Sequence, residues 1–250
     1  MIEFRDLHKS LGGEAILRGI DLVVQEGETL VLLGPSGAGK SVLLKHAIGL
    51  LRPDRGDVLV DGVSIARASA AELKRVRRRV GYVFQNAALF DSLTIAENLR
   101  LAQDDDRELR DVEECRAEAK VLLERVNLDP SVLDMYPPQL SGGMRKRVGV
   151  ARAIASHPRY LLWDEPTTGL DPVNAETIDA LIKELAAELG VTSIVVTHDL
   201  ESAFQVGDRI ALLYEGRIHI CAPPEEVFTS TDPVVQRFVR RGRVSVPAAV

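Results

Sequence analysis

The sequence predicts an α/β fold: a mostly parallel sheet with helices on its faces, an N-terminal β subdomain and an inserted helical subdomain. Three observations predict it. Short apolar runs at Thr29–Leu33, Val80–Phe84, Tyr160–Trp163 and Thr192–Val196 read as strands buried on both faces. Between Gln85 and about Ser156 the β-branched runs disappear and helical patterns take over. Strand and helix then alternate again to Arg209–Leu213. The expected organisation is one domain over residues 1–240, its core at about 1–85 and 157–220, its helical subdomain at about 86–156, and a flexible tail at 241–250.

Each element has its own signal. Ile2–Phe4, Ile20–Val24 and Thr29–Leu33 are strands, with turns at Gly12–Gly13 and Glu26–Gly27. Ser41–Leu51 is the helix after a glycine-rich loop. Val58–Val60 and Val63–Ile65 pair as a hairpin, because Asp61–Gly62 readily takes the positive φ of a tight turn. Ser69–Glu72 and Thr94–Glu97 are capping boxes, each opening a helix. Arg107–Val126 is helical and charged on one face, Glu176–Leu189 is a further helix, and Glu215–Gly216 turns a late hairpin.

Composition narrows the function. At 250 residues and 46% hydrophobic content the chain can bury a substantial core. A net charge of −6 disfavours broad attraction to nucleic acid or anionic lipid. The basic runs Arg75–Arg79 and Arg237–Arg243 read as solvated helix faces. Cys115 and Cys221 make no disulfide framework and have no metal-ligand spacing, which suits a reducing compartment. Met1–Asp6 lacks a signal-peptide pattern, and no apolar run approaches the roughly 20 residues needed to cross a bilayer. The chain is expected to be soluble unless a partner holds it to a membrane.

The chemistry lies in two stretches far apart in sequence. Gly34, Pro35, Ser36, Gly37, Ala38, Gly39, Lys40 and Ser41 match the P-loop pattern between an apolar strand and a helix. Glycines let backbone N–H groups turn inward around phosphate oxygens, Lys40 reaches the β- and γ-phosphates, and the Ser41 hydroxyl binds Mg²⁺. Asp164 ends a buried strand, where ligands bind in doubly wound sheets, and is a magnesium ligand. Glu165 then orients and activates the attacking water. Taken alone, these two acids read rather as a cap on the next helix. Ser141, Gly142 and Gly143 open a helix with several exposed donors. One chain has no obvious use for this second set of phosphate donors, which points to a machine that works as a pair.

Together these residues resemble the ATPase subunits of ABC transporters, over nearly the whole chain. The resemblance makes Gly34–Ser41 the Walker A motif, Gln85 the Q-loop glutamine, Leu140–Met144 the signature motif and Tyr160–Asp164 with Glu165 the Walker B segment. It makes Gly169–Pro172 the D-loop and His198 the switch histidine. It implies ATP and Mg²⁺ as cofactors, with Val42 and Asp171 among the nucleotide contacts and Gln85 beside Ser41 and Asp164 at the metal. Glu165, His198 and Gln85 are then the catalytic set. In a head-to-tail homodimer, Ser141 and Gly143 of one copy cover the γ-phosphate held by the other. Two positions depart from the family pattern: Met144 replaces a glutamine, and Leu11 stands where an aromatic usually stacks on adenine.

Gly39–Lys45, Phe84–Thr94 and Leu140–Arg147 form a combination similar to the Mla/Mkl-type ATPases. That resemblance implies phospholipid transport with an integral membrane permease, accessory subunits of MCE and STAS type, and a place on the cytoplasmic face of the inner membrane. Ala87–Leu93 is apolar enough to bury a permease helix, or to pack within its own subdomain. A polar amino-acid importer is the alternative. A soluble ABC ATPase acting on nucleic acid or ribosomes fits poorly with one cassette, no sustained heptads and an acidic balance. A P-loop kinase leaves Ser141–Gly143 unexplained.

Overall fold

The computed structural model describes residues 1–102 and 111–241, with the backbone alone at 240 and 241. The start of the charged stretch read from Arg107, and the tail and basic run beyond Arg241, lie outside the described residues. In chain order the elements are β1 (Ile2–Leu11), β2 (Glu14–Val24), β3 (Thr29–Leu33), α1 (Lys40–Ala47), β4 (Arg55–Val60), β5 (Val63–Ser64), α2 (Ala70–Arg78) and β6 (Val80–Val83). Then come α3 (Ile95–Arg100), α4 (Val112–Arg125), α5 (Gly142–Ile154), β7 (Tyr160–Asp164) and α6 (Pro172–Leu189). The chain closes with β8 (Thr192–Thr197), α7 (Leu200–Val206), β9 (Arg209–Tyr214), β10 (Arg217–Ala222), α8 (Pro224–Thr229) and α9 (Pro233–Arg241). These form two compact units, Met1–Leu73 with Thr192–Val250, and Lys74–Val191.

The first unit holds an antiparallel sheet in the order β2-β1-β4-β5. β1 and β2 run well past the apolar segments read from sequence, through pairs such as His8 with Arg18 and Ser10 with Ala15. Ladder hydrogen bonds and the Gly12–Gly13 turn, both glycines at positive φ, carry the hairpin where apolar burial ends. β3 lies between β8 and β9 and is parallel to both, so that Leu33 faces Thr197 on one side and Leu212 on the other. Every residue of β3 and β8 is buried. Such burial contributes about 1.5–3 kcal/mol for each large aliphatic side chain. The N-terminal end of β3 is fastened: Asp208 Oδ2 accepts from Thr29 N at 2.8 Å, and Arg209 Nη1 donates to Glu28 Oε1 at 2.9 Å. The opposite end of the strand carries the glycine-rich loop. α1 stops at Ala47, short of Leu51, because Gly49 turns the chain at φ 63°.

In the second unit β6 and β7 pair in parallel from Val80 with Tyr160 to Val83 with Trp163. α5 lies close against β6: a Cβ on Gly81 would stand 2.3 Å from the Ala153 carbonyl oxygen. The Thr94–Glu97 capping box opens α3 as read. α6 starts at Pro172 rather than Glu176, because Asp171 caps it and Pro172 fits its first turn. Among the described residues no helix is long and apolar enough to cross a membrane.

Candidate functional site

In the first unit the loop after β3 is shaped by its glycines. A Cβ on Gly34 would sit 2.4 Å from the Leu213 carbonyl oxygen, so only glycine fits against β9 there. Gly39, at φ 99°, turns the chain into α1. Lys40 is buried and its Nζ donates to the carbonyls of Gly34 at 2.9 Å and Pro35 at 3.1 Å, so the loop curls around the ammonium group. Ser36 and Gly37 are exposed at the tip, with Pro35, Ala38, Ser41 and Val42 half-buried.

The start of α1 has no side-chain cap and no acid in its first turn. By contrast Thr94, Asp111, Ser141, Asp171 and Asp199 each place an oxygen on the first turn of α3, α4, α5, α6 and α7. The positive end of α1 and the loop's ammonium group therefore fit a phosphate anion. His198 is exposed one residue past Thr197, the partner of Leu33, which puts it beside the start of this loop.

The second unit gathers the acids. Val83 pairs with Trp163, so the exposed Gln85 and the buried Asp164 leave the same end of adjacent strands. Tyr82 donates its hydroxyl to Asp164 Oδ2 at 2.9 Å. Burial, and then the charge of Asp164, push the Tyr82 phenol far above its ordinary range, so its hydroxyl keeps its proton and donates a hydrogen bond to that carboxylate. One carboxylate held in this way fits Mg²⁺, which takes one or two protein acids and completes its shell with hydroxyl, water and phosphate oxygens. Glu165 is held at φ 50°, a left-handed conformation unusual for glutamate. Thr168 fastens it twice, through N to the Glu165 carbonyl at 3.3 Å and through Oγ1 to Oε2 at 3.0 Å. The Lys146 ammonium, buried, approaches the same carbonyl at 3.5 Å.

Ser141 caps α5 by accepting from Met144 N at 3.2 Å. Ser141 and Gly142 are exposed, while Gly143 is buried against Asn174. Asp171 is exposed, and its carboxylate is engaged by Asn174 through both the backbone N and Nδ2. These bonds hold the Asp171 carboxyl below the usual carboxylate range.

The ABC transporter family model matches residues 17–168. The chain belongs to the ABC transporter family. It is an ABC-type ATPase, and ATP is its nucleotide. It is 39% identical over 250 residues to the "probable ribonucleotide transport ATP-binding protein mkl" of Mycobacterium leprae, covering 97% of this chain and 70% of that one. It is 42% identical over 256 residues to the methionine import ATP-binding protein MetN of Caulobacter vibrioides, covering 100% of this chain and 75% of the relative. Its fold matches the dimeric post-hydrolysis structure of the ATP-binding cassette MJ0796 bound to ADP and Pi. The TM-score is 0.81 at 35% identity, over 90% of this chain and 99% of that one.

Within this ABC cassette the sequence reading missed Tyr82, Lys146, Thr168, Asn174 and Asn98. Asn98 is fully buried and clamps the loop before α3, accepting from Phe90 N and donating to the carbonyls of Phe90, Leu93 and Thr94. Lys146 was the most findable, since it follows Gly143 by three residues and precedes Val150 by four on the inward stripe of α5. Of the apolar segment Ala87–Leu93, Ala87 packs inward against Gly149 and Phe90 remains 56% exposed. Phe90 faces a groove of about 300 Å³ that is also lined by Tyr82, Phe84, Leu101 and Arg152. Leu11, at the tip of the first hairpin, is 41% exposed.

Proposed function

We propose that this ATPase energises a membrane transporter of phospholipid, acting as a homodimer on the cytoplasmic face of the inner membrane beside an integral membrane permease. The observation that carries the nucleotide part is the placement of chemistry at strand ends. His198 stands beside the loop of Gly34–Ser41 on paired strands, and Gln85 stands beside Asp164 on another such pair. The loop N–H groups, Lys40 and the start of α1, with Val42, bind the triphosphate. Ser41, Gln85 and Asp164 hold Mg²⁺, whose charge offsets that building on the β- and γ-phosphates. Glu165 orients the attacking water and takes its proton, a role worth about 10²–10⁴-fold. His198 holds the γ-phosphate. Ser141, Gly142 and Gly143 of the second copy, with Asp171 at the D-loop, close over it, and the dimeric MJ0796 structure at 35% identity supports that pairing.

The groove of Phe84, Phe90 and Leu101 receives a permease helix, since its apolar, part-exposed walls match the helix-in-groove mode of recognition. The net charge of −6 argues against a nucleic-acid partner. Phospholipid as cargo and accessory subunits of MCE and STAS type rest on the resemblance of the segments Gly39–Lys45, Phe84–Thr94 and Leu140–Arg147 to the Mla/Mkl-type ATPases, whereas the Mycobacterium leprae relative is named for ribonucleotide transport. The MetN relative at 42% identity favours amino-acid import as a second reading. Purifying the assembly in detergent and identifying its subunits and bound lipid by mass spectrometry separates the two. Co-purified phospholipid with an MCE subunit is expected, whereas an amino-acid-binding protein in its place would replace the lipid reading. Lys40→Ala should abolish nucleotide binding, and Glu165→Gln should bind ATP and stall as a closed dimer. Normal turnover in both would contradict the site.

A further inference from the structure

We propose that Arg152 is a positioning residue: its guanidinium holds the left-handed turn that follows Gln85 and so fixes where Gln85 stands beside Asp164. This rests on the Gln85 role given above. Ala87 and Ala88 take φ of 58° and 51°, although both carry a Cβ. Residues other than glycine seldom use that region, and they stay in it only where their surroundings over-determine them. Arg152 supplies the constraint. Its Nη2 donates to the Ala87 carbonyl at 2.9 Å and its Nη1 to the Ala88 carbonyl at 2.6 Å. A planar guanidinium presents its donors as a fork, which suits two adjacent acceptors.

The helix that carries Arg152 is shaped to receive the loop. Gly149 precedes Arg152 by three residues on α5, hence on the same face. A Cβ on Gly149 would stand 3.1 Å from Ala87 Cβ and 3.2 Å from Ala87 Cα, so the loop rests directly on the helix. Ala87 is accordingly buried, while Ala88 and Gln85 are exposed. Gln85 is bracketed by backbone bonds on both sides. Before it, β6 pairs with β7 as far as Val83. After it, Ala87 N donates to the Phe84 carbonyl at 3.0 Å and closes a turn with Gln85 and Asn86 at its centre. Ala88 N then donates back to the Asn86 carbonyl at 2.6 Å. Without the fork the two alanines relax from positive φ, the turn opens, and Gln85 loses its place beside Asp164.

The test reads ATP turnover by the purified complex and amide hydrogen exchange of residues 84–88 in the isolated ATPase. Arg152→Met is made in the parent and together with Ala88→Gly. Glycine takes positive φ without the Cβ penalty, so it should make the turn less dependent on the fork. In the parent, Arg152→Met should lower kcat about ten-fold, leave KM for ATP within about two-fold, and speed exchange at 84–88 about ten-fold. With Ala88→Gly present, the same substitution should cost no more than about three-fold in either readout. Arg152→Lys, whose ammonium lacks the planar fork, carries the same comparison if the Arg152→Met protein does not fold. Equal losses with and without Ala88→Gly, or unchanged exchange at 84–88, overturn the inference, because Arg152 then serves only the packing of α5. Gln85→Ala is the control on the underlying reading. Normal turnover in it removes the Gln85 role and the inference with it, whereas impaired turnover leaves the Arg152 comparison to decide.

Discussion

Asn174 Oδ1 lies against Gly143, 2.5 Å from where a Cβ on that glycine would stand. The same amide donates from Nδ2 to Asp171 Oδ2 at 2.6 Å, and Asp171 Oδ1 accepts from Asn174 N at 3.0 Å. One side chain therefore ties the cap of α6 to the glycine turn that opens α5. Gly143→Ala must push the amide aside and break its bond to Asp171. The expected cost is about 1–3 kcal/mol of stability, the usual scale for overpacking, read as a lower urea midpoint. Hydrolysis should fall at least about ten-fold, while nucleotide binding by the isolated subunit persists. Adding Asn174→Ala makes room, so the stability losses should be markedly non-additive. Strict additivity would show that the two residues are not coupled.

Lys146 makes a complementary prediction about the other end of the turn. Its ammonium is buried near the Glu165 carbonyl, and burial pulls its pKa below the ordinary lysine value, against the opposing charge of Glu165. Lys146→Met keeps most of the volume and removes a charge that is costly to bury. Thermal stability should hold or rise. Glu165 loses one support for its left-handed backbone, so kcat should drop about ten-fold with KM for ATP unchanged. Reduced stability together with unaltered kcat would reverse this assignment.

How much of this was readable in advance depended on whether a residue's role was local. The Thr94–Glu97 box, the turn at Asp61–Gly62 and the buried run Thr29–Leu33 are set by neighbours a few positions away, and the structure shows each of them. The roles of Asn174 and Tyr82 are set by partners on other elements, Gly143 and Asp164, and no local pattern marks them. The outer halves of β1 and β2 were missed because pairing, not apolar alternation, stabilises them. The early start of α6 has its signal in Asp171–Pro172, an N-cap acid and a first-turn proline that serve the helix as well as the D-loop.

His46 sets a pH dependence of stability. It is fully buried in α1, and Nδ1 lies 2.7 Å from the Val42 carbonyl. Burial, the largest influence, lowers its pKa below 6.5, so the folded chain resists a proton that the unfolded chain accepts. Stability from this group is therefore complete above about pH 6.5 and is lost as pH falls through the lower folded value. Urea midpoints for the parent protein and His46→Leu should diverge in slope between pH 7.5 and 5.5, the parent losing more. The pairs His8–Asp6 and His219–Asp232 are common to both proteins and cancel in the difference. Parallel slopes would mean that His46 takes up a proton as readily in the folded chain as in the unfolded one.

Leu11 bears on which nucleotide is used. It lies at the tip of the β1–β2 hairpin, 41% exposed, at the position where the family pattern has an aromatic ring for the base. An aliphatic side chain offers contact area but no stacked π-face, a difference of about 1–3 kcal/mol per base in stacking sites. Without that term, less of the binding energy depends on which purine is present, and more comes from the phosphate contacts that ATP and GTP share. GTP turnover by the purified complex should therefore be measurable, with kcat/KM within about ten-fold of that for ATP. Leu11→Tyr should lower KM for ATP several-fold and leave kcat unchanged, because the hairpin tip is remote in sequence from Glu165 and adds only uniform binding. If the parent complex hydrolyses ATP alone, discrimination comes from groups other than a base-stacking side chain at residue 11.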